Sequence, residues 1–296
     1  MKKNLIQLIK TIVRLLPEGA PEFIYVSILK PKPLKALANA VLSVMIPETV
    51  RVSDGSVIAL NKKDAVVSGA LMFGVYEKFE TELIRKKLGP GMTVIDIGAN
   101  IGYYTAIAAQ AVGPAGRVIA FEPDPENFAY LEKTVVLNKL TNVTCYQVAI
   151  ADSVGAGHLF LSPENNKGDQ RIYASPEKRE SIGIQLTTLD AFIQGHDVPR
   201  VDFIKMDIQG AEGLALAGMK KTIGDNGHLM MFTEFWPMGI ERTGQSPLAF
   251  LNILKELGMN IFDINRKNGE LIPVTDTEST THKFKGREFA NLYCEK

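Results

Sequence analysis

From Thr93 to Glu256 the chain alternates short runs of β-branched and apolar residues with amphipathic stretches of helical length, and this leaves few folds open. The strand-like runs are TVIDIG (93–98), RVIAFE (117–122), VTCYQVAI (143–150), DFIKMD (202–207) and HLMMFTEF (228–235). Helices are expected near 103–112, 125–138, 211–222 and 246–257. Strands that are apolar throughout and separated by helices form a parallel sheet covered on both faces, joined by right-handed crossovers. The last two strand-like runs, MNIFDINR (259–266) and EFANLYCEK (288–296), have no evident helix between them and read as an antiparallel hairpin. The fold class expected is therefore α/β, a doubly wound, mostly parallel sheet with a C-terminal antiparallel hairpin and an N-terminal helical extension. With 296 residues, 46% of them hydrophobic, the chain has enough apolar surface for such a core.

Around this body lie two less regular regions. Residues 1–75 read as an N-terminal cap of helices and short strands, with a helix around Glu77–Leu88 leading into the main domain, 76–296. Residues 152–187, rich in Ser, Pro, Asn and charge, read as a long irregular insertion. The start, MKKNLIQLIKTIVRLLPEG, places Lys3, Gln7, Lys10 and Arg14 on one helical stripe and Leu5, Leu8, Ile9, Ile12 and Leu16 on another. Such a basic amphipathic helix either docks on the main domain or lies on a membrane surface. Lys10 interrupts the apolar centre that an export signal would need, and the run ALANAVLSVMIP (36–47) is too short to span a bilayer.

Lys plus Arg equals Asp plus Glu, 33 each, so no summed field draws in nucleic acid. The two cysteines, Cys145 and Cys294, form no C-x-x-C pair, so neither a disulfide framework nor a zinc site is expected. A reducing cytoplasmic setting fits, with the inner face of the membrane as the second place if the N-terminal helix lies on lipid.

The first strand ends in VIDIGANIGYYT (94–105), which brings Asp96, Gly98, Asn100 and Gly102 into one strand-to-helix turn. In an open α/β sheet this turn approaches the ligand. A dinucleotide fingerprint G-x-G-x-x-G would need Gly where this chain has Asn100 and Tyr103. An acid at the strand end would repel a pyrophosphate but suits an ammonium group. Glu122, 20 residues past Gly102, ends the second strand, where a carboxylate reaches a ribose diol. Together these imply a nucleoside joined to a cationic amino acid, the make-up of S-adenosylmethionine. The rival readings are a nicotinamide-dependent oxidoreductase on a similar sheet and a non-catalytic module that keeps the cofactor fold.

Residues 94–130 resemble the signature of S-adenosylmethionine-dependent methyltransferases of the FkbM type, and FIKMDIQGAE (203–212) resembles the family's fourth-strand motif. The likeness covers roughly 75 to 296, with Gln209 where the family more often has Glu. The resemblance implies that Asp96, Gly98, Asn100 and Gly102 line the methionine end of the cofactor, with Ala99, Tyr104 and Thr105 belonging to the same turn and helix start. It implies that Glu122 holds the ribose next to Pro123, that Ala149, Ile150 and Ala151 flank the adenine, and that Tyr76 and Glu77 close over the cofactor. It also implies an O-methyltransferase acting on a sugar or glycan, a glycolipid or a polyketide-type product, so the expected partner is a small-molecule, glycan or lipid-linked acceptor.

Methyl transfer is an in-line displacement in which the protein chiefly aligns the reactants, but a hydroxyl acceptor must also lose its proton. Asp207 and Glu234 end the fourth and fifth strands and are the candidate catalytic residues, Asp207 also as a cofactor contact. No metal is assigned, a divalent cation held by Asp207 and Glu234 with water being the lesser alternative: the sequence shows no compact acidic cluster, and Glu212 reads as a cap on the helix that follows. Trp236 either floors an acceptor pocket or plugs the core.

Overall fold

A computed structural model describes residues 32–296 except 164, 165, 266, 285 and 287. The basic stripe expected at 1–20 lies outside the described residues. The chain begins with helix α1 (Lys32–Met45) and a two-stranded hairpin, β1 (Thr49–Arg51) and β2 (Val57–Ala59). Helices α2 (Val67–Phe73) and α3 (Lys78–Lys87) follow. The doubly wound part runs β3 (Thr93–Ile97), α4 (Tyr103–Val112), β4 (Arg117–Phe121), α5 (Pro125–Leu137) and β5 (Val143–Tyr146). After an excursion through β6 (Ala149–Ile150), β7 (Gly155–Phe160), β8 (Ser181–Thr187) and α6 (Leu189–Gly195), it resumes with β9 (Phe203–Met206). Then come α7 (Glu212–Ala217), α8 (Lys220–Asp225), β10 (Met230–Phe235), α9 (Pro237–Arg242) and α10 (Pro247–Glu256). The chain closes with β11 (Asn260–Ile264), β12 (Leu271–Pro273), α11 (Thr277–Lys283) and β13 (Ala290–Glu295).

The large sheet has eight strands in the order β12-β11-β13-β10-β9-β3-β4-β5. The five strands from β10 to β5 are parallel, and β13 runs antiparallel between β10 and β11. This is the expected class. The chain moves outward from β3 to β5 and then returns to the other side of β3, so the strand order reverses between β3 and β9. A crevice opens at such a reversal, beyond the carboxyl ends of the strands.

Alternation along the strands explains the two layers. Ile95, Ile97, Ile119, Phe121, Ile204 and Met206 bury against α6, α7 and α10, while Val94, Val118, Phe203 and Phe232 face α4 and the N-terminal segment. That second cluster includes Ile46, Ile58, Leu60, Val67 and Leu71, so the core runs continuously across residue 75. The β1–β2 hairpin is also tied to α5: Val57 N donates to Asn138 Oδ1 (2.7 Å) and Ala59 N to Thr134 Oγ1 (3.1 Å).

Four expectations are corrected. VTCYQVAI is two strands, β5 in the large sheet and β6 in a separate three-stranded sheet, because the chain leaves the large sheet at Gln147 and Val148. The insertion is not irregular throughout, since β7 and β8 pair antiparallel from Gly155↔Leu186 to Phe160↔Ser181. The helix expected over 211–222 is two, broken at Gly218 and Met219. The C-terminal strands pair as expected, but β12 and α11 lie between them. Among the described residues no helix is long and apolar enough to cross a membrane, and both cysteines are free thiols.

Gly218 shows why the second helix breaks. A Cβ there would lie 2.0 Å from the Ala151 carbonyl oxygen, so only glycine lets this turn press on the strand exit that carries Ala149 and Ile150. Gly218→Ala is expected to lose about 1–3 kcal/mol, the usual cost of overpacking. Gly224→Ala, in open space within α8, is expected to gain about 0.5–1 kcal/mol from the better helix former. Urea unfolding of the two variants measures both.

Candidate active site

The crevice at the strand reversal is a cavity of about 940 Å³. Its walls include Tyr76, Glu77, Gly98, Ala99, Asn100, Tyr104, Glu122, Pro123, Ala149, Ile150, Asp207 and Glu234, which are twelve of the residues singled out from the sequence. Gln209, Lys205 and much of the segment 162–179 also line it.

Its floor is the turn after β3. Gly98 has φ +77°, and a Cβ on it would stand 2.1 Å from the Asp207 carbonyl oxygen, so glycine is what lets the tips of β3 and β9 meet. Asn100 is also left-handed (φ 51°), and its backbone N–H donates to Glu122 Oε2 (2.8 Å). The other Glu122 oxygen accepts from Asp124 N (2.9 Å). Each carboxylate oxygen thus holds one backbone amide and keeps acceptor capacity toward the cavity. Burial outweighs these two amides and pushes the Glu122 carboxyl up to about 7.

Asp96, Gly102 and Thr105 do not line the cavity, which differs from the expectation that Asp96 and Gly102 line the methionine end with Thr105 as a cofactor contact in the same turn. In the parallel register Asp96 sits beside Lys205, both on the face covered by α4. Its Oδ1 lies 3.8 Å from Lys205 Nζ, and its Oδ2 accepts from Thr105 Oγ1 (2.6 Å). Asp96 is therefore engaged beneath the floor. Gly102 is spent on helix packing, since a Cβ there would meet Leu131 Cδ1 at 2.9 Å.

Lys205 is the hub that sequence reasoning missed. Its Nζ donates to the Gly98 carbonyl (3.1 Å) and lies 5.3 Å from the centre of the Tyr104 ring. Burial alone would lower its pKa, but the carboxylates of Asp96, Asp207, Glu77 and Glu122 outweigh that and hold it above its ordinary value. A lysine in the middle of an apolar strand signals a buried charge, yet the sequence does not say which acids surround it.

Glu77 caps the site from the start of α3 in a left-handed conformation (φ 38°), and its Oε2 accepts from the Tyr104 hydroxyl (2.6 Å). Burial, and next the charge of Asp207, raise its pKa. Asp207 Oδ1 accepts from Gln209 Nε2 (2.9 Å), so the residue that departs from the family pattern supplies a donor where a glutamate would add a second charge.

The structure corrects the expectation that no compact acidic cluster exists. One carboxylate oxygen from each of Asp207, Glu212 and Glu234 lies within 4.8 Å of the other two. Glu212 is fully buried, and its Oε1 accepts from Ile208 N (2.9 Å) just before α7. The adjacency of β9 and β10 brings Glu234 to the other two, and no spacing in the sequence shows it. Such a set of oxygens suits an acceptor hydroxyl and its proton, and the same oxygens are the donors a hard divalent cation prefers.

The covering segment lies within the insertion singled out at 152–187, but none of its residues was named from the sequence. Arg171 and Arg179, both nearly inaccessible, share Asp169 (2.8 and 2.6 Å), and Arg171 also reaches Glu177 (3.2 Å). The segment is fastened to both sides of the crevice: Gln170 Nε2 donates to Asp124 Oδ2 (2.7 Å), and the Tyr173 hydroxyl donates to the Gln209 carbonyl (2.7 Å). The alternating signs of Asp169, Arg171, Glu177 and Arg179 are the signal that the polar composition hid. Trp236 does not line the cavity. It stacks beneath the Arg171 guanidinium (5.0 Å) and donates through Nε1 to the Gly286 carbonyl (3.1 Å), which places it as a support.

Removing one member of a buried charge cluster leaves the others uncompensated. Lys205→Met is expected to lose about 3–5 kcal/mol, and the double variant Asp96→Asn/Lys205→Met less than the sum of the two single losses. Urea unfolding of the three proteins measures this coupling.

The family model described as the methyltransferase FkbM domain matches residues 96–260, more than half of the chain. The chain is 28% identical over 182 residues to the 2-O-methyltransferase NoeI of Sinorhizobium fredii, covering 56% of this chain and 72% of that protein. It is 25% identical over 204 residues to the 31-O-demethyl-FK506 methyltransferase FkbM of Streptomyces tacrolimicus, covering 58% of this chain and 76% of that one. A crystal structure of methyltransferase FkbM from Methylobacillus flagellatus aligns with 94% of this chain and 60% of that one, at 16% identity and a TM-score of 0.43. The chain belongs to the FkbM family of methyltransferases.

Proposed function

We propose that this methyltransferase moves the methyl group of S-adenosylmethionine to a hydroxyl oxygen of a sugar, glycolipid or polyketide-type acceptor. The observation that carries this reading is one cavity with a carboxylate at one strand tip, each of its oxygens holding a single backbone amide, and close carboxylates at two other strands. Family membership removes the oxidoreductase alternative.

The residues present fit the cofactor. Glu122 has acceptor capacity left for a vicinal diol, and the buried Oδ1 of Asn100, in a residue of the cavity wall, has no hydrogen-bond partner among the described residues. Ala149 and Ile150 offer an apolar wall to a flat base. With Asp96 engaged by Lys205, the negative charge facing a ligand ammonium comes from Asp207, and Glu77, whose carboxyl burial pushes up to about 8, adds an acceptor oxygen. S-adenosylmethionine supplies a methyl already activated by its sulfonium, so little acid catalysis is asked of the protein.

The protein's tasks are alignment, exclusion of water and removal of one proton. The 162–179 segment shields the crevice, held by its two anchor points. Asp207 is oriented by Gln209, and with Glu234 it receives the acceptor's hydroxyl and takes its proton. The O-methyl preference draws on the two relatives, whose names specify O-methylation. Only one of the two names specifies an acceptor, so the acceptor class here rests on the site's polar wall and on the surface described below.

The test is transfer of label from S-adenosylmethionine to hydroxyl-bearing acceptors, with Asp207→Asn expected to lower kcat by about 10²–10⁴. Tight binding of S-adenosylhomocysteine with no product from any acceptor would make this a non-catalytic module. Binding also carries a pH signature. The diol hydrogen-bonds best to the ionised form of Glu122, whose carboxyl in the free protein holds its proton up to about 7. Affinity for S-adenosylhomocysteine is therefore expected to fall as pH drops below that value, by up to about tenfold per pH unit. Glu122→Gln is expected to bind more weakly, by about 1–3 kcal/mol, and to remove this contribution to the slope. Calorimetry from pH 5.5 to 8 reads both.

A further inference from the structure

Among the described residues, four of the eight large exposed apolar side chains lie on α1. Leu34, Leu37, Val41 and Val44 are 50, 64, 50 and 63% exposed. Their spacing of three, four and three residues puts them on one face of a helix about 20 Å long. Ala36 and Ala40 are also exposed, so this face is apolar along its length. Leu42 and Met45, partly buried along the flank of this face, pack α1 against the core. Lys35 and Leu42 belong to the wall of the active-site cavity, so the exposed face adjoins its rim.

Charge says what covers this face. The whole chain is neutral, yet residues 1–46 carry seven Lys or Arg against two Glu. A second copy docked face to face would bring two such basic segments together. An anionic bilayer accepts both features, apolar side chains at the level of the acyl chains and lysines among the headgroups. A 14-residue helix is too short to cross it and lies along it instead.

We propose that the Leu34–Leu37–Val41–Val44 face of α1 seats the protein on an anionic membrane surface, and that the acceptor is a hydroxyl on the headgroup of a membrane lipid presented at the cavity rim. The docking stands without the catalytic reading; the choice of acceptor rests on it.

Flotation of the full chain with vesicles of mixed phosphatidylcholine and phosphatidylglycerol tests the docking, with phosphatidylcholine alone as control. The protein is expected to float with the anionic vesicles, to be released by high salt, and to lose at least tenfold in partitioning as Leu37→Asp/Val41→Asp. That variant changes exposed positions only, so its circular dichroism and its affinity for S-adenosylhomocysteine are expected to stay as in the parent. Absence of flotation, or flotation unchanged in the variant, overturns the docking. A dimer in sedimentation that the same variant dissolves assigns the face to a second copy and overturns it as well. Vesicle binding without any affinity for S-adenosylhomocysteine leaves the docking intact and removes the methyltransferase reading of the cavity. Transfer to water-soluble acceptors but to no headgroup of the vesicles overturns the choice of acceptor alone.

Discussion

The site is organised around one buried cation. Lys205 stands on the central strand next to the point where strand order reverses, and parallel pairing sets it beside Asp96 with Glu77, Asp207 and Glu122 near enough to sustain its charge. A buried ammonium is costly unless surrounded by compensating groups. Four carboxylates from four chain segments meet that need, and each is restricted as a result. Asp96 is held beneath the turn, and Lys205 is tied to the Gly98 carbonyl, so the floor of the crevice is set by electrostatics as well as by backbone.

The remaining acids divide the work by their surroundings. Glu122 is bound by backbone amides and keeps its outward acceptor capacity, as a group that receives hydroxyls must. Glu77 is engaged by Tyr104 and closes the near side. Asp207 and Glu234 form the far side, with Glu212 buried behind them and fixed to the backbone ahead of α7, and Asp207 oriented by Gln209. Carboxylate oxygens gathered within 4.8 Å of one another suit the hydroxyl of an acceptor and its proton.

Over this crevice the chain builds its own cover. The segment between β7 and β8 has few apolar residues to bury, and an ion network of Arg171, Arg179, Asp169 and Glu177 takes the place of a core. Arg171 rests on Trp236, so the cover is joined to the strand that ends in Glu234. Cover and carboxylate thus share a support, and the only tryptophan serves the pocket from behind its wall.

The sequence by itself determined the order and kind of the main elements. Runs such as TVIDI and RVIAF have the alternation of buried strands, Asp124 and Pro125 mark a helix start, and the turn at Gly98 and Asn100 needs left-handed backbone. These are local properties, written in consecutive residues, and together with the family resemblance they carry they sufficed to locate twelve of the cavity-lining residues and the kind of ligand. What only the tertiary structure decided is which groups meet across strands. The pairing of Asp96 with Lys205, the approach of Glu234 to Asp207 and Glu212, the break at Gly218 against Ala151 and the folding of the polar insertion into two strands all depend on register and packing between distant segments. Hydrophobic periodicity reports which side of a strand is buried, whereas the partner across the sheet is fixed only when the whole layer assembles.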